Sequence, residues 1–189
     1  VFYSANNKNS IDLVLVLNGL PIATLELKTE STQSVWAAIK QYKKDRLPKD
    51  ALSNRNEPLL QFKSRCVVHF AVSTEEVFMA TKLAGDSTYF LPFNKGDNEG
   101  KGNPVNPEGP RTAYLWESLL ERDNWLHILS DFVHLERSEK IDSDGHKSIS
   151  ERMIFPRYHQ WDAVTKLVET SKREKAGHHY LIQHSAGSG

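Results

Sequence analysis

The stretch from Asp12 to Lys28, lying in Ile11–Lys28 as IDLVLVLNGLPIATLELK, decides how this chain is read. Two runs rich in Val, Ile, Leu and Thr, Ile11–Leu17 and Ile22–Lys28, flank Asn-Gly-Leu-Pro. This spacing predicts a strand, a turn at Asn18-Gly19 and a second strand. Charge sits where a plain core hairpin has none: Asp12 heads the first run, and Glu26 and Lys28 close the second. A hairpin folds head onto tail, so the three converge at its open end, and on a two-residue period Glu26 and Lys28 share one face. In a regular two-residue turn, however, Leu17 pairs with Leu20 and Asp12 with Leu25, on the wrong face. An acid pair therefore requires an odd loop or a β-bulge that returns Asp12 to the face of Glu26 and Lys28; Pro21, which cannot donate to the ladder, also disfavours the tight form.

Two carboxylates and a lysine gathered on a rigid hairpin suit a divalent cation and a water to be deprotonated. Asp12 and Glu26 would ligate Mg²⁺, with the Leu27 carbonyl as a third oxygen donor. Lys28 would orient or deprotonate the attacking water and stabilise charge on a phosphate, for in-line hydrolysis of a phosphodiester. An exposed hairpin end with a surface salt bridge is the plainer account of the same residues.

The following segment, TESTQS, supplies N-caps for a helix over Val35–Arg46, with Val35, Trp36, Ile39 and Tyr42 on one apolar stripe. Lys40, Lys43, Lys44 and Arg46 face elsewhere, as a solvated face or one that touches phosphates. Gln41 lies on this helix and can reach back toward the charged end of the hairpin. Pro48 ends it. Cys66–Ser73 reads as a buried central strand carrying a core histidine, His69, and a buried thiol, Cys66. Val77–Thr81 and Thr88–Leu91 read as shorter strands, 94–110 as a long irregular loop, and Thr112–Leu120 and Asn124–Leu135 as helices. The charged stretch Glu136–Ser150 lacks apolar periodicity and reads as a linker.

Beyond it, Arg157–Lys175 has helical spacing, with Trp161, Val164, Leu167 and Val168 on its stripe, and Tyr180–Gln183 reads as a short strand. The chain then ends in His184-Ser-Ala-Gly-Ser-Gly189. A strand followed by a Ser-Gly turn is how a phosphate-binding loop begins, which marks Gly187, Ser188 and Gly189. Gln160 opens the helix upstream and suits a hydrogen bond to adenine, although an ordinary helix N-terminus looks the same. A start at Val1 and a stop inside this motif are expected of a fragment.

Composition bounds the alternatives. At 189 residues there is room for one ordinary domain and part of another. The formal net charge is zero, so binding to nucleic acid would rest on local patches. One cysteine builds no disulfide framework, which makes the cytoplasm the default compartment, and no apolar run approaches the length that spans a bilayer.

The pieces NGLPIATLELK, AIKQYKKDR, VVHFAVSTEEVFMAT, FLPFNKG with GNP, TAYLWE, and FPRYHQWDAV running to YLIQHSAGSG resemble the restriction (R) subunit of type I restriction-modification enzymes. That resemblance implies a PD-(D/E)xK nuclease domain over 1–135, a linker over 136–150 and the start of a RecA-like, P-loop motor domain over 151–189. The fold class it implies is α/β, a restriction-endonuclease-like mixed sheet with flanking helices. Asp12, Glu26 and Lys28 match the catalytic acid, acid and lysine. Gln160 matches the adenine-contacting glutamine, and His184–Gly189 the start of the Walker A loop. Mg²⁺ and ATP are the implied cofactors. Double-stranded DNA and the specificity and methylation subunits are the implied partners. Many members carry Gln-x-x-x-Tyr after the catalytic lysine; here Gln41 is followed four residues later by Asp45, with Tyr42 adjacent, so only the glutamine carries over. A stand-alone repair or recombination nuclease, or a catalytically inactive nuclease fold kept for DNA binding or docking, are the rival readings.

Overall fold

The computed structural model describes residues 1–183 apart from 6, 30–33, 99 and 142–145. Five strands form one mixed sheet in the order β1-β2-β3-β4-β5: Leu13–Leu17, Leu20–Leu27, Val68–Val72, Val77–Ala80 and Leu91–Pro92. Only β2 and β3 run parallel, and helix α1, Val35–Lys44, lies in the connection between them. Parallel neighbours need such a crossover, whereas the antiparallel pairs are joined by shorter connections.

The alternation along β2 and β3 divides their side chains between two cores. Ala23, Leu25, Val68, Phe70 and Val72 point to one face, where they meet Phe93, Leu115, Leu119, Trp125 and Ile128. Those last four come from a π-helical turn, Leu115–Leu119, and from α2, Arg122–Asp131. The opposite face packs Ala71 and Ala80 against Val35, Ala38, Ile39 and Tyr42 of α1. Trp36, expected on the buried stripe, is 60% exposed and touches Phe78 on β4 at 5.2 Å between ring centroids. At its other end α1 reaches β2, where Tyr42 meets Thr24. The helix thus crosses the sheet obliquely from β4 to β2.

Two expectations from the sequence are corrected here. The stretch 136–150 is not an irregular linker: it supplies most of an antiparallel pair, β6 (His134–Ile141) and β7 (Lys147–Ile154). Opposite charges face each other across this ladder, Glu136 against Arg152 at 3.0 Å and Arg137 against Glu151 at 2.9 Å. Such opposite-charge pairs add to a backbone ladder whose sequence shows little apolar alternation. The second correction concerns Tyr180–Gln183, which forms no strand. Leu181 is 91% exposed and Ile182 51%, and the segment pairs with no strand among the described residues.

Helix α3, Tyr158–Glu174, is buried only at its start, through Tyr158 and Trp161. These two and Phe155 enter the same core as Phe70 and Phe93, with Phe70–Phe155 centroids 5.9 Å apart. Val164 and Val168 on the rest of the expected stripe are 41% and 37% exposed.

Candidate active site

The hairpin β1–β2 solves its register problem with a bulge. Asn18 and Gly19 both have positive φ, 49° and 83°, the conformation a tight two-residue turn demands and the reason for Asn-Gly there. Leu17 faces Leu20 and Val16 faces Pro21, as that turn requires. The register then shifts between Val16 and Leu15, leaving Ile22 without an opposite number, and continues through Val14↔Thr24 to Leu13↔Leu25. The ladder ends there, and Asp12, the residue before it, lies near enough to Glu26 for the two carboxyl groups to interact.

Glu26 is completely buried on the α1 face of the sheet. Its Oε1 accepts a hydrogen bond from Arg46 Nε at 2.6 Å, while its Oε2 is buried with no hydrogen-bond partner. Burial pushes the Glu26 carboxyl above the ordinary range, the Arg46 hydrogen bond and charge pull it back, and the nearby Asp12 charge adds to the rise. Asp12 is exposed, and its Oδ2 accepts the Leu27 N–H at 2.8 Å. Groups along β2 alternate sides: Lys28 N–H bonds to Val72 of β3, so Leu27 turns its N–H and carbonyl the other way, past Leu13, the first residue of β1. Lys28 follows Glu26 on the same face, half-exposed, and forms no ion pair with a described residue.

Gln41 lies on α1 with its Oε1 buried and unpartnered. Tyr42 goes elsewhere: its hydroxyl meets Thr24 Oγ1 at 2.9 Å, and Thr24 Oγ1 meets His69 Nδ1 at 2.7 Å. Burial lowers the His69 pKa to about 3, so this imidazole is a neutral core group, as its place in an apolar strand suggested. Burial likewise pushes the Cys66 thiol up to about 12, which leaves it protonated and unreactive.

Arg46 is the residue that sequence reasoning placed wrongly. Grouped with the lysines of a helix face read as solvated or as touching phosphates, it instead lies beyond the last turn of α1 with its side chain only 13% exposed. The available signal was the buried acid itself, since a carboxylate on an interior strand position needs a cation. Lys44, by contrast, remains on the surface and pairs with Asp86 at 2.7 Å.

Among the described residues no three His, Cys, Asp or Glu side chains are grouped to hold a metal. A cation at this hairpin would depend on two carboxylates and backbone oxygen. The unpartnered Glu26 Oε2 fits that requirement, because a buried carboxylate oxygen without a donor is otherwise costly. The Leu27 carbonyl, directed to the same edge, fits it as well.

Gln160 lies in a separate cleft of about 700 Å³ at the β4–β5 side of the sheet, with Lys82, Tyr89, Arg152 and Arg157. Its Oε1 caps α3 by accepting the Arg157 N–H at 2.9 Å. Gly187, Ser188 and Gly189 lie outside the described residues.

Residues 1–88 match the family model described as the type I restriction enzyme R protein N terminus. No curated protein and no solved structure matches the chain. The match contains the whole hairpin, α1, Arg46 and strands β3 and β4. Over residues 1–88 the chain is therefore similar to the type I restriction enzyme R protein N terminus.

Proposed function

We propose that this chain carries the nuclease site of a type I restriction subunit, a Mg²⁺-dependent endonuclease that cuts double-stranded DNA after ATP-driven translocation in the cytoplasm. The observation that carries the reading is the fully buried Glu26, one oxygen on Arg46 and the other unpartnered, with the Asp12 carboxyl close by. A hairpin selected only to fold would place an apolar residue there, because an incompletely paired buried carboxylate destabilises the native state.

In this reading Asp12, Glu26 and the Leu27 carbonyl hold the divalent cation. Bound there, Mg²⁺ supplies Lewis acidity toward a phosphoryl oxygen and acidifies water. Lys28, half-exposed on the same face and without an ion-pair partner among the described residues, orients the attacking water and offsets charge developing on the scissile phosphate. Gln41, on α1, would use its buried, unpartnered oxygen to hold a water at the site. The exposed Lys40 on the same helix would meet the DNA backbone.

The remaining chain is read as the approach to an ATP-driven motor. Gln160 would read adenine with the amide nitrogen that its capping bond leaves over, and Gly187, Ser188 and Gly189 would begin the phosphate loop. The specificity and methylation subunits would complete the assembly. Among the described residues no helix is long and apolar enough to cross a membrane.

The test is cleavage of double-stranded DNA by the assembled complex with Glu26→Ala in place of the wild-type subunit. Loss of cleavage with ATP hydrolysis retained is the expected result. Cleavage within threefold of wild type would overturn the assignment.

A further inference from the structure

On the α1 face of the sheet the buried Glu26 is paired with a cationic side chain, Arg46. Arg46 donates to Glu26 through a single atom, Nε, at 2.6 Å, and takes Oε1 alone. Its backbone is anchored independently of that bond. The N–H groups of Asp45 and Arg46 both donate to the Gln41 carbonyl, at 2.7 and 2.9 Å, which tightens the chain as it leaves α1. Pro48 follows closely and fixes the exit. The guanidinium is therefore delivered from a rigid helix end onto a residue of the central sheet.

We propose that Arg46 is a positioning residue for Glu26: it holds Oε1 so that Oε2 is presented to a divalent cation beside Asp12. This rests on the nuclease reading above and adds a residue to it. The division of labour between the two oxygens is what the geometry carries. A guanidinium that only neutralised a buried acid could set two parallel N–H donors on its two oxygens, the frequent bidentate form. Here one oxygen is satisfied and the other, equally buried, has no donor at all. Arg46 and a cation thus do not compete for the same atom. A charged group behind a metal-ligating carboxylate fixes its rotamer, and removing such an outer partner typically costs 10–100-fold in metal affinity.

The experiment uses the full-length protein that carries this chain, free of nucleotide, titrated with Mn²⁺ alone by calorimetry. Wild type is compared with Arg46→Met, Arg46→Lys and Glu26→Ala, and folding of each is checked by its thermal unfolding. Arg46→Met keeps the buried length without a donor and is expected to weaken Mn²⁺ binding at least tenfold. Arg46→Lys keeps the charge but loses the directed Nε–H, and is expected to fall between the two. It also serves if Arg46→Met does not fold. In cleavage by the assembled complex, the loss for both variants should be partly recovered by raising Mg²⁺, which a purely structural defect would not allow. Glu26→Ala losing Mn²⁺ binding while the Arg46 variants bind as tightly as wild type, or more tightly, would overturn the proposal and leave the nuclease site standing. Glu26→Ala binding Mn²⁺ unchanged would overturn the nuclease site and this proposal with it.

Discussion

The carboxylate of Asp12 accepts the backbone N–H of Leu27 at 2.8 Å, so the residue that heads the hairpin also ties its open end. Asp12 thereby has a structural duty that is separable from chemistry. Asp12→Asn keeps an acceptor oxygen for Leu27 and removes the charge. It is expected to unfold within about 1 kcal/mol of wild type, whereas Asp12→Ala, which also loses the hydrogen bond, should cost about 1 kcal/mol more. DNA cleavage by the complex should fall at least about a hundredfold in both, in keeping with the loss of one of two charged ligands. An Asp12→Asn complex that cleaves at near the wild-type rate would remove Asp12 from the site.

Lys28 is half-exposed and pairs with no described residue, so its removal should scarcely affect the fold. Lys28→Ala is expected to change stability by no more than about 0.5 kcal/mol. Cleavage should be abolished while ATP hydrolysis continues, because the two chemistries sit on separate stretches of chain. ATPase lost together with cleavage, in a subunit still folded and assembled, would contradict this.

His69 gives the fold an acid sensitivity with a defined sign. Burial lowers its folded pKa to about 3 from an ordinary value of 6.5. Between those values the unfolded chain takes up a proton that the folded chain refuses. Its contribution is therefore fully present above pH 6.5 and is lost as the pH falls toward 3, at a slope approaching about 1.4 kcal/mol per pH unit. His69→Gln keeps a polar group for Thr24 and should flatten that slope. Urea midpoints measured from pH 7 to pH 4 that decline equally in both proteins would disprove the assignment.

Phe155 packs against Phe70, Phe93 and Trp125, all members of the sheet's own core. Phe155→Ala should therefore destabilise the β1–β5 sheet by about 3–5 kcal/mol. Hydrogen exchange at β3 amides reads this directly. Unchanged protection of Phe70 and Ala71 would show that 155–161 fold independently of the sheet.

The correction at 136–150 shows where local reading failed. Apolar periodicity is a signal of burial, and the ladder of β6–β7 carries exposed charge pairs instead: Glu136 with Arg152, and Arg137 with Glu151, which Lys63 also pairs. Such pairs are invisible until the register is known, because Glu and Arg along one strand look the same as a solvated linker. Tyr180–Gln183 erred the other way. Its apolar residues have strand propensity, but among the described residues they pair with no strand.

The sequence by itself determined the elements that carry the candidate site. Alternating apolar residues around Asn18-Gly19 specify the hairpin, and the spacing of Val35, Ile39 and Tyr42 specifies the helix that covers it, because both periodicities are local geometry. Parity even required an irregular residue between Asp12 and Glu26. Which residue would be extruded depended on the competing demands of a tight turn at Asn18-Gly19 and of the pairing between β2 and β3, and it is Ile22. The partner of Glu26 lay further beyond local reading. Arg46 is twenty residues away, indistinguishable in sequence from the surface lysines before it, and reaches Glu26 only because α1 crosses the sheet obliquely and ends over β2. Burial creates the need for that cation, and burial is a property of the packed sheet.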